Sequence, residues 1–175
     1  LALLLLVRRF ERGDPDEQRR VYDAYLRNTR RINNWDLVDL SAPNIVGTWS
    51  MQHGTARLAA LARSTLLWER RIAIVATFAR IRAGKPQTTL RLARRLLADP
   101  EDLIHKAAGW MLREVGKRDL AALVSFLDRH AAVMPRTMLR YAIERFPEPE
   151  RKGYLAQGRS PRRGGCPRRE PPSWP

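Results

Sequence analysis

Two thirteen-residue blocks, LLWERRIAIVATF at 66–78 and HKAAGWMLREVGK at 105–117, superpose with an offset of 39 residues. A weaker third copy, RTMLRYAIERF, follows at 136–146. Each block places apolar residues at helical spacing, and the segments between them start and stop further helices. A helical pair repeated at this period cannot cover its apolar face alone and does so against the next copy. The repeat therefore predicts an all-α fold, an α-solenoid of HEAT-like helical repeats, in preference to a compact bundle. A basic chain built this way would present a basic concave face.

Caps and breakers place the helices. Leu1–Glu11 should end near Gly13, and Asp14-Pro15 caps and starts a helix over Asp16–Arg30. Asn33 or Asn34 caps Trp35–Ala42, and Pro43 is expected to stop it, with Gly47–Thr55 as a loop. A short helix covers Ala56–Ala62, and Ser64 starts a longer one to about Arg82. Further helices span Gln87–Ala98, Glu101–Val115, Asp119–His130 and Pro135–Phe146, and PEPERKGYL ends the ordered part. One domain over 1–155 and a disordered basic Pro/Arg/Gly-rich tail over 156–175 are expected. The opening LALLLLVRRFERGD lacks the basic lead and cleavage site of a signal peptide and is too short to span a bilayer. It reads as the second half of an amphipathic helix that begins before Leu1, in the C-terminal part of a longer protein.

Charge narrows the partner. The 175 residues hold 33 Lys+Arg against 18 Asp+Glu, a formal net charge of +15. Five arginines and one glutamate lie in 156–175, so +11 remains in the body. That excess favours a polyanion, nucleic acid first and an anionic membrane second. No helix joins a strong basic face to a wide apolar one, which argues against the membrane. The lone Cys166 forms neither a disulfide framework nor a thiolate metal site, and His53, His105 and His130 are scattered. No metal and no cofactor is expected, and no Gly-rich phosphate loop, GxSxG elbow or Cys/His pair is present.

A few residues break the packing pattern. Leu67, Ile74, Phe78 and Ile81 form one stripe, and the position that completes it is Arg71. Either a guanidinium here meets an anion, a carboxylate from a neighbouring helix or a phosphate, or the stripe is partly open at this position. Trp110 flanks the stripe of Ile104, Ala108, Met111 and Val115 and so faces sideways, as edge packing or as a stacking platform. Trp35 carries the same ambiguity, whereas Trp68 reads as packing. Asp39 lies one helical turn after Trp35, on the same face, where a capping or salt-bridging acid and a functional one are both open readings.

Taken together, NNWDLVDLSAP, LWERRIAIVATF, HKAAGWMLREVGKRD and PRTMLRYAIERFP resemble the bacterial DNA alkylation repair family, the AlkD-type HEAT-like-repeat DNA glycosylases. The likeness runs from about Leu1 to Leu155. It implies an α-solenoid that grips double-stranded DNA in its concave face and excises cationic N3- or N7-alkylated purines. The family's catalytic pattern is a Trp with an Asp four residues on, an Arg in the RR block and a Trp in the GW block. Here these fall on Trp35, Asp39, Arg71 and Trp110. Arg71 is expected on the DNA backbone, with Arg70 beside it. The family's additional N-terminal helices would precede Leu1, and the 156–175 tail has no counterpart.

The implied chemistry makes sense of an acid beside a tryptophan. A cationic purine leaves without being protonated, and the deoxyribose becomes oxocarbenium-like. A fixed carboxylate would stabilise that charge and orient water, while Trp35 and Trp110 would offer π-faces to sugar and base. Base flipping into a deep pocket is not implied. The expected setting is a cytoplasmic monomer acting at the nucleoid, in base excision repair. The rivals are a non-catalytic relative that binds DNA shape or lesions, and a HEAT-type scaffold for acidic peptides.

Overall fold

The computed structural model describes residues 1–157, and within them every regular element is helical. Twelve α-helices follow in order: α1 (Ala2–Arg12), α2 (Pro15–Arg27), α3 (Trp35–Ser41), α4 (Thr48–His53), α5 (Ala56–Leu61) and α6 (Leu67–Ala76). Then come α7 (Phe78–Arg82), α8 (Gln87–Arg95), α9 (Asp102–Gly116), α10 (Leu120–His130), α11 (Arg136–Ala142) and α12 (Glu148–Ala156). None of them is long and apolar enough to cross a membrane. The tail expected to be disordered falls, from residue 158 on, outside the described residues.

The helices stack as the repeat requires. α3 packs on α6, α6 on α9, and α9 on α11, while α5 backs α6, α10 backs α9 and α8 backs both. Such a row of helical pairs is the α-solenoid. Its middle is the driest part: Ile72, Ala73, Ile74, Val75 and Ala76 of α6 are all buried. A helix apolar on every side belongs between layers, and α6 has them in α3 and α9. Two glycines set how closely the row packs. A Cβ on Gly109 would lie 2.5 Å from both the Met138 carbonyl oxygen and the Tyr141 Cβ, so α9 and α11 meet backbone to backbone.

Asp14 caps α2 as expected, and Asp119, expected as the first residue of its helix, caps α10; each accepts a hydrogen bond from the backbone N–H three residues on. Other boundaries moved. Pro43 does not stop the helix that starts at Trp35. It opens a π-helical turn over Pro43–Gly47 that runs directly into α4. Proline has no N–H for the carbonyl of Asp39, and the widened turn absorbs the mismatch, with the Gly47 N–H reaching the Ala42 carbonyl at 2.8 Å. The expected Gly47–Thr55 loop is thus mostly helix. Gly47 has an ordinary helical φ of −63°, and its value lies in lacking a Cβ, which would sit 2.3 Å from the Ala76 carbonyl oxygen. The true break comes at Gly54, with φ +81°. The long helix expected to reach Arg82 divides at Thr77, whose hydroxyl donates to the Ile74 carbonyl at 2.6 Å. Order extends through α12.

Candidate active site

The row α3–α6–α9–α11 lines a cleft of about 440 Å³ with Trp35, Asp39, Arg71, Leu103, Lys106, Trp110, Arg113 and Tyr141 among its walls. Four residues singled out from three separated stretches of sequence, Trp35 with Asp39, Arg71 and Trp110, therefore converge. Trp35, at the start of α3, is 56% exposed, an unusual state for a tryptophan with an adjacent core. Asp39 stands one turn further along the same face. Trp110 is half-buried, its ring 6.1 Å from that of Phe78.

Arg71 is buried and grips Asp39 with two parallel hydrogen bonds. Its Nε donates to Oδ1 at 3.1 Å and its Nη2 to Oδ2 at 2.8 Å, while Nη1 donates to the Leu103 carbonyl at 2.8 Å. Of the two anions open to it, a carboxylate from a neighbouring helix is the one Arg71 meets. Such a bidentate pair fixes both the position and the plane of the carboxylate. The two ends of the pair differ in access: the arginine side chain is 6% exposed and the aspartate 18%. Both side chains line the cleft, and the negative end is the more open of the two. Burial pushes the Asp39 carboxyl above the usual range; the Arg71 hydrogen bonds and charge oppose the shift, and the nearby Asp36 charge adds to it.

The helices that carry this pair are themselves pinned. Tyr25 of α2 is buried, and its hydroxyl lies 2.9 Å from Ser41 Oγ on α3. Ser41 spends its own hydrogen on the Leu37 carbonyl at 2.5 Å, so Tyr25 is the donor. Thr29 Oγ1 donates to Glu69 of α6 at 2.6 Å, tying the lead into α3 to the helix that supplies Arg71.

Arg70 goes elsewhere. Its Nε and Nη2 donate to Asp99 at 2.6 and 3.1 Å, and Nη1 meets the carbonyls of Ser64 and Thr65, both at 3.1 Å. It lines a different cavity. Successive residues on a helix point about 100° apart, so one turn of α6 sends one arginine to each side. Sequence reasoning also missed the cleft's two further cations and its tyrosine. Lys106 and Arg113 lie four before and three after Trp110, the spacing that shares a helix face, so that signal was present. Tyr141, 37% exposed, comes from the third repeat block and is pressed toward α9 by Gly109. Lys106 pairs with Asp102 at 3.0 Å, and Arg113 with Glu144.

No curated protein and no solved structure gives a significant match to this chain. A family model does, described as DNA alkylation repair enzyme, and it matches residues 1–146, a span that contains every residue of the cleft. The stacked helical pairs, the basic body and the converging Trp, Asp, Arg and Trp thus belong with a family match over most of the sequence: the chain is a member of the DNA alkylation repair enzyme family.

Proposed function

We propose that this protein is a DNA glycosylase that excises cationic N3- or N7-alkylated purines from duplex DNA, in the first step of base excision repair. The observation that carries the reading is the Asp39 carboxylate, clamped by Arg71 and lining a cleft walled by Trp35 and Trp110.

The reaction is a substitution at the sugar carbon that bears the base. The glycosidic electron pair leaves with the purine and cancels its positive charge, so the base departs neutral and needs no acid. Positive charge develops on the deoxyribose. A carboxylate already oriented by two hydrogen bonds stabilises it with no reorganisation at the moment of reaction. Water then adds to the same carbon, and Asp39 orients it and can take its proton, giving an abasic site and free base. Trp35 and Trp110 offer their faces to the cationic lesion while the charge is still on it. Arg71 is a positioning residue in this scheme. Lys106 and Arg113, on the same α9 face as Trp110, are the cations placed to meet the phosphates flanking the lesion.

Incubation with N-methylated duplex DNA tests the proposal. Release of 3-methyladenine or 7-methylguanine supports it. Tight binding of the same duplex without release of base would instead assign the chain to DNA or lesion recognition alone.

A further inference from the structure

The molecule has a second cleft, larger and more basic than the first. It encloses about 820 Å³ between the α5–α6 and α8–α9 turns, and its walls include Arg63, Arg91, Arg94 and Arg95. Its acids are few. Asp99 is engaged by Arg70, which leaves Glu101 as the other carboxylate in the lining.

The arginines share a spacing and a state. Arg91, Arg94 and Arg95 fall at i, i+3 and i+4 on α8, the spacing that shares one helix face, and Arg63 joins them from the turn after α5. All four are exposed, and none makes an ion pair among the described residues. Arg91 has long contacts to the hydroxyls of Thr55 and Thr88, at 3.3 and 3.5 Å. Like charges at this spacing repel one another and weaken a helix. The structure does not relieve that repulsion with carboxylates, as it does for Arg70 and Arg71. The field reaches His130 on α10, which burial first, then Arg94 and Arg129, hold below its usual range.

The two clefts share a wall. Arg70 of α6 and the Asp99–Glu101 lead into α9 line one side, while Arg71 of α6 with Leu103 and Lys106 of α9 line the other. We propose that the arginine cleft binds the phosphate backbone of DNA, as a second contact beyond the lesion cleft. This rests on DNA being the partner of the family, and it is independent of the chemistry at Asp39. Charge complementarity selects the occupant: unpaired guanidinium groups at the surface suit phosphates, which bring one charge each and accept forked hydrogen bonds.

The test is binding of unmodified duplex DNA as salt is varied. Each phosphate neutralised contributes about 0.9 to the slope of log affinity against log salt. The triple variant Arg63→Gln/Arg94→Gln/Arg95→Gln should lower the slope by roughly 2.7, and the single Arg94→Gln by about 0.9. The matching triple lysine variant should keep most of the slope. Neutralising Arg19, Arg27 and Arg151, exposed on α2 and α12, controls for net charge. A cleft triple that keeps the wild-type slope, or changes it no more than this control, overturns the inference. So does polyglutamate binding that depends on these arginines when DNA binding does not. Failure of wild type to bind duplex DNA would overturn the DNA reading as a whole, whereas a missing glycosylase activity with the slopes as expected would overturn only the Proposed function.

Discussion

Replacing Arg71 by methionine removes the guanidinium while keeping a flexible apolar stem against the core. Three charge-assisted hydrogen bonds disappear, two to Asp39 and one to the Leu103 carbonyl. Breaking a fully buried ion pair by removing one partner costs roughly 3–5 kcal/mol. Asp39 keeps 18% of its side-chain exposure and can be partly rehydrated, so the lower end, about 3 kcal/mol, applies. For a domain of this size that lowers Tm by roughly 6–12 °C. The loss depends on pH with a definite sign. Arg71 is what opposes the burial-driven rise of the Asp39 pKa, so without it the carboxyl titrates higher still. A group whose folded pKa is raised contributes stability fully below its unfolded pKa and loses that contribution as pH rises through the folded pKa. The deficit of Arg71→Met relative to wild type is therefore smallest in acid and grows with pH. A double-mutant cycle of Arg71→Met with Asp39→Asn, followed by thermal unfolding across that range, should give a coupling of at least about 1.5 kcal/mol. Additive effects, or a deficit that shrinks as pH rises, would refute the ion-pair reasoning.

Trp35→Ala removes an aromatic side chain that is more than half exposed, so chemical denaturation should place its stability within about 0.5 kcal/mol of wild type. Excision by that variant should fall about three- to thirtyfold if the ring faces a cationic lesion, and undiminished excision would remove Trp35 from the site. Gly109→Ala forces a methyl against the Met138 carbonyl and Tyr141, costing roughly 1–3 kcal/mol by urea unfolding. Gly153→Ala, where a Cβ meets open space inside α12, should leave stability unchanged or raise it. The excision rate should rise with pH as Asp39 ionises, with a midpoint above the usual carboxylate range. A rate that instead falls through that range would mean that a protonated acid does the work.

The fold was legible where periodicity and capping agree. The 39-residue repeat located α6 and α9, and Asp14 and Asp119 marked helix starts that the structure keeps. Proline and glycine misled. Pro43 was expected to stop a helix, but a π turn accommodates it, and the stretch from Gly47 expected as a loop is helical, with Gly47 set against α6 where a Cβ has no room. At the site, an arginine on an apolar stripe and an aspartate beside Trp35 each stood out locally. Their partnership spans 32 residues and two repeats, a contact that the period of one helix cannot reveal. Arg70 and Arg71 are neighbours in sequence with separate partners, because one residue of helical rotation is enough to divide them between two clefts.

The most direct test of the account is single-turnover release of 7-methylguanine from methylated duplex by Asp39→Asn, at saturating protein and with the folded state checked by melting. Asparagine keeps the shape and one acceptor for Arg71 while removing the charge. The account predicts DNA binding like wild type and a rate lower by about two to three orders of magnitude. Release at the wild-type rate by the folded variant would contradict it.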